Sequence, residues 1–168
     1  MNRAVSALIR GTIFVGDLDR ATIFYSALGF DKVYYEGQLN DPSASTLLGF
    51  NEHAPLEVRI VKSGGPNFGM IGLFKIADEL EPGIVTPPHG AARIGEVALV
   101  FYVASMANTL AALRQAGATW SPEPETFRMP HRSQLEVCLR DCDGVLLNLI
   151  ETDPFEQESR AREVDCKY

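Results

Sequence analysis

The chain has 168 residues, 46% of them apolar and 22% charged, which is ordinary for one soluble globular domain or for one domain of two fused halves. Basic residues number 15 and acidic residues 22, for a net charge of −7. That balance argues against a nucleic-acid partner, which needs clustered Lys and Arg to displace counterions, and is compatible with a cationic ligand.

Three cysteines, Cys138, Cys142 and Cys166, form no C-x-x-C spacing. They read as reduced thiols, and the chain is expected to be cytoplasmic. No apolar run approaches the ~18 residues of a membrane span. The N-terminus shows no secretory pattern.

In chain order, alternation over 8–15 predicts a strand. Asp17 or Asp19 can cap a helix over 20–28, and Gly29 stops it. Val and Tyr content predicts a strand over 32–36. Residues 40–45 read as a loop, and 46–50 as ambiguous between loop and helical turn. Strands follow over 56–62 and 70–76, separated by the turn cluster SGGPN (63–67). The stretch 81–92, EPGIVTPPHGAA, is a linker by its prolines and glycines.

The second half repeats the order: a strand over 96–103, a helix over 106–116 capped by Ser105 and stopped by Gly117, and a short strand over 118–120. A loop with three prolines follows over 122–132. Strands over 134–139 and 145–151 flank the hairpin signal DCDG (141–144). Residues 10–29, RGTIFVGDLDRATIFYSALG, and 96–117, EVALVFYVASMANTLAALRQAG, are thus two copies of one motif, their strand starts 86 residues apart. The expected division is a first βαβββ module over 1–80, a linker over 81–93, a second module over 94–152 and a charged tail over 153–168.

This duplicated arrangement resembles the vicinal-oxygen-chelate superfamily, also called the glyoxalase/bleomycin-resistance/extradiol-dioxygenase superfamily. The residues that carry the likeness are FVGDLDRATIFYSALGF (14–30) and LRDCDGVLLNLIE (139–151). It covers roughly residues 7–151. The resemblance implies an α+β fold in which two tandem βαβββ modules curl their mixed sheets into a cup, with helices outside. It also implies a homodimer, many relatives completing their cups across the interface. The superfamily spans lyases, isomerases, dioxygenases and antibiotic-sequestering proteins, so fold alone does not select an activity.

In that family a divalent metal is held by the first and last strands of each module. The corresponding positions here are Arg10, Gly72, Glu96 and Asn148. Only Glu96 is a good ligand. Arg10 stays protonated, Gly72 has no side chain, and Asn148 offers a neutral carbonyl oxygen. A catalytic site wants about three protein ligands, so the expectation is no cofactor.

Period-two alternation then assigns the faces. With Arg10 in the cup, Leu8, Thr12 and Phe14 join it, and Ile9, Ile13 and Val15 pack under the helices. Met70, Gly72 and Phe74 face the cup, as do Glu96, Ala98, Val100 and Tyr102, and Leu146, Asn148 and Ile150. Gln134, Glu136, Cys138 and Arg140 form a polar set facing cavity or solvent. Arg10 and Glu96, at duplicate positions, are expected to form an ion pair where the metal would sit.

Candidate ligand-binding residues are Arg10, Thr12, Phe74, Glu96, Tyr102 and Asn148. Arg10 offers a fixed cation to a carboxylate, phosphate or enolate. Arg10, Glu96 and His131, the last in the loop FRMPHR (127–132), are the groups for metal-independent chemistry. The expected function is binding of a small molecule, an antibiotic or metabolite, with or without turnover. The alternative is a metal-dependent glyoxalase-like lyase, isomerase or dioxygenase.

Overall fold

A computed structural model describes residues 6–50, 55–76, 90–129 and 132–155. Strand β1 (Arg10–Val15) alternates as its sequence demands: Ile13 and Val15 are buried, while Arg10, Thr12 and Phe14 face the open side. Helix α1 (Leu18–Ala27) starts where the Asp17 side chain accepts a hydrogen bond from the Arg20 N–H, which holds that carboxyl below its ordinary range. It ends before Gly29, whose φ of 94° is the left-handed conformation that favours glycine. Its buried residues Leu18, Ala21, Phe24 and Tyr25 form one helical stripe.

Strand β2 (Lys32–Leu39), helix α2 (Pro42–Leu48), β3 (Leu56–Lys62) and β4 (Met70–Lys75) complete the first module. The second contains β5 (Ala98–Val103), α3 (Met106–Gln115), β6 (Glu125–Met129), β7 (Arg132–Arg140) and β8 (Leu146–Glu151). Each module forms one four-stranded sheet, in the orders β1-β4-β3-β2 and β5-β8-β7-β6. In both, the first and last strands pair in parallel and the remaining neighbours are antiparallel. The sequence repeat is therefore a repeat of topology. The two sheets do not close into a barrel.

One core joins the modules. Ile13, Val15, Phe24, Ile71 and Leu73 share it with Met106, Leu110, Val137, Leu147 and Leu149. The Phe30 and Phe101 rings meet edge to face at 5.4 Å across the join. A polar seam runs beside them. The wholly buried Tyr25 donates to Asp141 Oδ2 at 2.8 Å, and Asp143 Oδ1 accepts from the Gly16 N–H at 3.2 Å and from Arg20 Nη2 at 3.1 Å.

Four expectations need correction. The predicted loop over 40–45 opens α2, because Asp41 caps it and Pro42 suits a first turn. The predicted short strand over 118–120 is absent. The proline-rich loop instead contains β6, whose Thr and Phe pair with β7 once Pro122 and Pro124 are passed. Strand β5 begins at Ala98, so Glu96 lies outside it. Most of the expected linker and most of the tail lie outside the described residues.

Candidate functional site

The open face of the first sheet carries a built cation. Arg10, Thr12 and Phe14 stand opposite Met70, Gly72 and Phe74 in the parallel register of β1 and β4. Arg10 Nε donates to Thr12 Oγ1 at 3.3 Å, and its guanidinium lies over the Phe74 ring, 5.7 Å from the centroid. Phe14 meets Phe74 edge to face at 6.1 Å. Gly72 makes this possible: a Cβ there would stand 3.3 Å from Arg10 Cδ, 3.4 Å from Thr12 Oγ1 and 3.2 Å from the Phe74 ring. The Arg10 stem thus occupies the space a side chain at residue 72 would take. Across β4 and β3 the same face is packed: Leu56, Val58 and Ile60 form one buried cluster with Met70 and Phe74, and Leu39, Phe50 and Ile76 pack against it.

The matching face of the second sheet is more polar. Ala98, Val100 and Tyr102 stand opposite Leu146, Asn148 and Ile150. Across β7, Arg140, Cys138 and Glu136 stand opposite the same three residues of β8. Glu136 accepts from Gln134 Nε2 at 2.7 Å and from Asn148 Nδ2 at 3.1 Å. Asn148 Oδ1 is buried without a hydrogen-bond partner. Tyr102 is half-buried, and Val100 and Cys138 are exposed. Partial desolvation of the sulfur, with the nearby Glu136 charge second, pushes the Cys138 thiol up.

The expected Arg10–Glu96 pair does not form. Glu96 instead takes the buried Arg140, through Nη1 to Oε1 and through Nη2 to Oε2 at 3.2 Å, and also accepts the Arg93 N–H at 3.0 Å. The Arg140 hydrogen bonds and the Arg93 N–H hold the Glu96 carboxyl below its ordinary value. Arg140 lies on the polar face of β7 that the sequence identified, but 44 residues from Glu96. Only the inward parity of its position could have marked it as the partner. Among the described residues Arg10 has no ion pair.

These contacts bear on the divalent metal that the sequence resemblance implies. Arg10 fills the space beside Gly72, Glu96 is bound by both oxygens to Arg140, and the Asn148 amide faces a carboxylate. The four positions therefore do not present a donor set for a divalent ion, and no group of three or more His, Cys, Asp or Glu is gathered for one among the described residues. His53, His89 and His131 lie outside the described residues. A cavity of about 330 Å³ opens on the helix-bearing side, beside Asp17, Glu36, Glu57 and Arg59. Its charges satisfy one another: Arg59 pairs with Asp19 at 2.9 Å and Glu36 at 2.6 Å, and Lys75 with Glu57 at 2.7 Å.

With this geometry in view, solved structures identify the fold. The chain is similar to a member of the glyoxalase/bleomycin resistance protein/dioxygenase superfamily from Sphaerobacter thermophilus, at 21% identity and a TM-score of 0.50, over 88% of this chain and 98% of that one. It is similar to the fosfomycin resistance protein FosX from Mesorhizobium loti, at 15% identity and a TM-score of 0.53, over 95% and 100%. It is also similar to UcmS2, at 21% identity and a TM-score of 0.54, over 88% and 99%. The fold is that of the vicinal-oxygen-chelate proteins. No family model and no curated protein matches the sequence. Among the described residues, no helix is long and apolar enough to cross a membrane.

Proposed function

We propose that this chain binds a small organic molecule on the open faces of its two sheets, and that Arg10 provides the cation for an anionic group of that molecule. The observation that carries this reading is the state of Arg10: held by Thr12, laid over Phe74, and free of any carboxylate among the described residues. A guanidinium fixed beside apolar surface binds a carboxylate or phosphate more strongly than one in bulk water, because less ordering remains to be done. Binding in this reading needs no metal, since Arg10 brings the positive charge. Phe14 and Val100, 45% and 52% exposed on the open faces, favour a second copy of the chain that covers them and completes a cup.

Titration calorimetry with benzoate and phenyl phosphate tests this. Saturable binding that weakens about tenfold or more in Arg10→Ala, with the fold retained, is the expected result. Equal affinity of the variant overturns it. Turnover of a bound compound would make the protein an enzyme on the same scaffold, and activity that appears only with added divalent metal would favour the lyase, isomerase or dioxygenase alternative.

A further inference from the structure

We propose that Glu136 is the anionic anchor of the second sheet's open face and takes a cationic N–H-bearing group, a primary ammonium or a guanidinium, of the small molecule; this rests on the binding role given above to the open faces. Glu136 sits in the middle of β7, half-buried, with Ile150 of β8 on one side and Glu125 of β6 on the other. Each of its oxygens receives one neutral amide, from Gln134 and from Asn148. Those two bonds aim the carboxylate without cancelling its charge. No ion pair reaches it among the described residues, and Arg140, on the same face, is committed to Glu96 and to the Gly144 carbonyl at 2.8 Å. Its neighbour on β6, Glu125, is another acid and offers it no counter-charge.

Asn148 sharpens the chemistry. Its amide nitrogen points at Glu136, and turning the group over would set its oxygen against that carboxylate, so the orientation is fixed. This leaves Asn148 Oδ1 buried and unpartnered next to the Glu136 carboxylate. A buried acceptor without a donor is costly, and the Glu136 carboxylate has no counter-charge among the described residues. Next to Glu136 both deficits are of one sign, a missing counter-charge and a missing donor; the orphaned donor of this face, Arg140 Nε, lies four residues along β7, opposite Leu146 rather than Asn148. An ammonium carries three N–H donors and a guanidinium five, together with the missing charge. The Cys138 thiol, pushed up from its ordinary value by partial desolvation first and the Glu136 charge second, adds no competing anion near neutral pH.

The test uses phenethylamine, with 2-phenylethanol as its neutral counterpart and benzoate as a check on the Arg10 reading. In wild type, phenethylamine should bind saturably and shift the amide resonances of Gln134, Glu136 and Asn148. In Glu136→Gln its affinity should fall about tenfold or more, as for loss of a charge-assisted hydrogen bond, while 2-phenylethanol is unaffected. Unchanged amine affinity in the variant, or wild-type shifts that cluster elsewhere, overturns the proposal. The resonance map needs no variant, so it decides the matter even if Glu136→Gln does not fold. Arg10-dependent binding of benzoate without binding of phenethylamine would sink the Glu136 proposal alone; binding of neither would sink both.

Discussion

Arg140 holds Glu96 by both carboxylate oxygens, and through the same guanidinium it donates to the Gly144 carbonyl at 2.8 Å. A side chain 3% exposed thereby ties the segment before β5 to the hairpin between β7 and β8. The pair sets the approach to the second sheet and leaves Arg10 free.

Replacing Glu96 by Gln should therefore destabilise the protein, because it leaves the Arg140 charge buried without its partner. The pH dependence has a definite sign. Glu96 is held below its ordinary value of 4.5, so its contribution is complete above that value and is lost as pH falls through the lowered one. Thermal melts should show a gap between wild type and Glu96→Gln that is full at pH 6–7 and closes as the medium is acidified. A gap independent of pH would mean that the charge of Glu96 does not matter.

Tyr25 and Asp141 give the opposite sign. Burial pushes the Asp141 carboxyl above its ordinary value of 3.8, against the Tyr25 hydroxyl and the two backbone N–H groups of Asp143 and Val145, which favour its anion. The folded state then holds the proton more tightly than the unfolded chain, so this group's contribution falls as pH rises from about 3.8 through the raised value. The stability advantage of wild type over Asp141→Asn should narrow across that interval; a widening gap would contradict the assignment. Tyr25→Phe, which removes the donor from a buried acceptor, should cost about 1–3 kcal/mol in denaturant unfolding.

The thiols offer a chemical check. Cys142 is half-buried, and burial together with its hydrogen bond to Asp143 pushes its pKa up to about 12. Alkylation by iodoacetamide at pH 8, followed site by site in peptide mass spectra, should be much slower at Cys142 in the folded protein than in urea. Equal rates would show that the hairpin between β7 and β8 opens readily.

How far the sequence carried this reading depends on the range of the forces involved. Strand faces are local: the alternation of Arg10, Thr12 and Phe14 against Ile13 and Val15 is set by the pleat, and the structure keeps it. The same parity correctly placed Glu136, Cys138 and Arg140 on one face. Strand β6 was hidden because its flanking prolines are strong local loop signals, whereas its pairing with β7 is a tertiary fact. The partner of Glu96 was missed for the same reason. The sequence repeat suggested positions 10 and 96 as duplicates, but in the sheets Ala98 stands where Arg10 does, opposite the first residue of the last strand, and the registers of β5 and β7 against β8 bring Glu96 and Arg140 to the same end.

Gly72 joins both levels. Its backbone does not need glycine's special φ; what matters is the absent side chain, since a Cβ would press on Arg10 Cδ, Thr12 Oγ1 and the Phe74 ring at 3.2–3.4 Å. These distances are slightly too short, and Arg10 is the neighbour most able to yield. Gly72→Ala should then fold with a loss of about 1 kcal/mol, at the low end of the cost of overpacking. The Arg10 side chain should move off Phe74 and Thr12, and benzoate affinity should fall as in Arg10→Ala, though by less. Melting curves and calorimetry separate the two effects. If Gly72→Ala lost stability but kept full benzoate affinity, the seating of Arg10 on Phe74 would not be what prepares it for an anion.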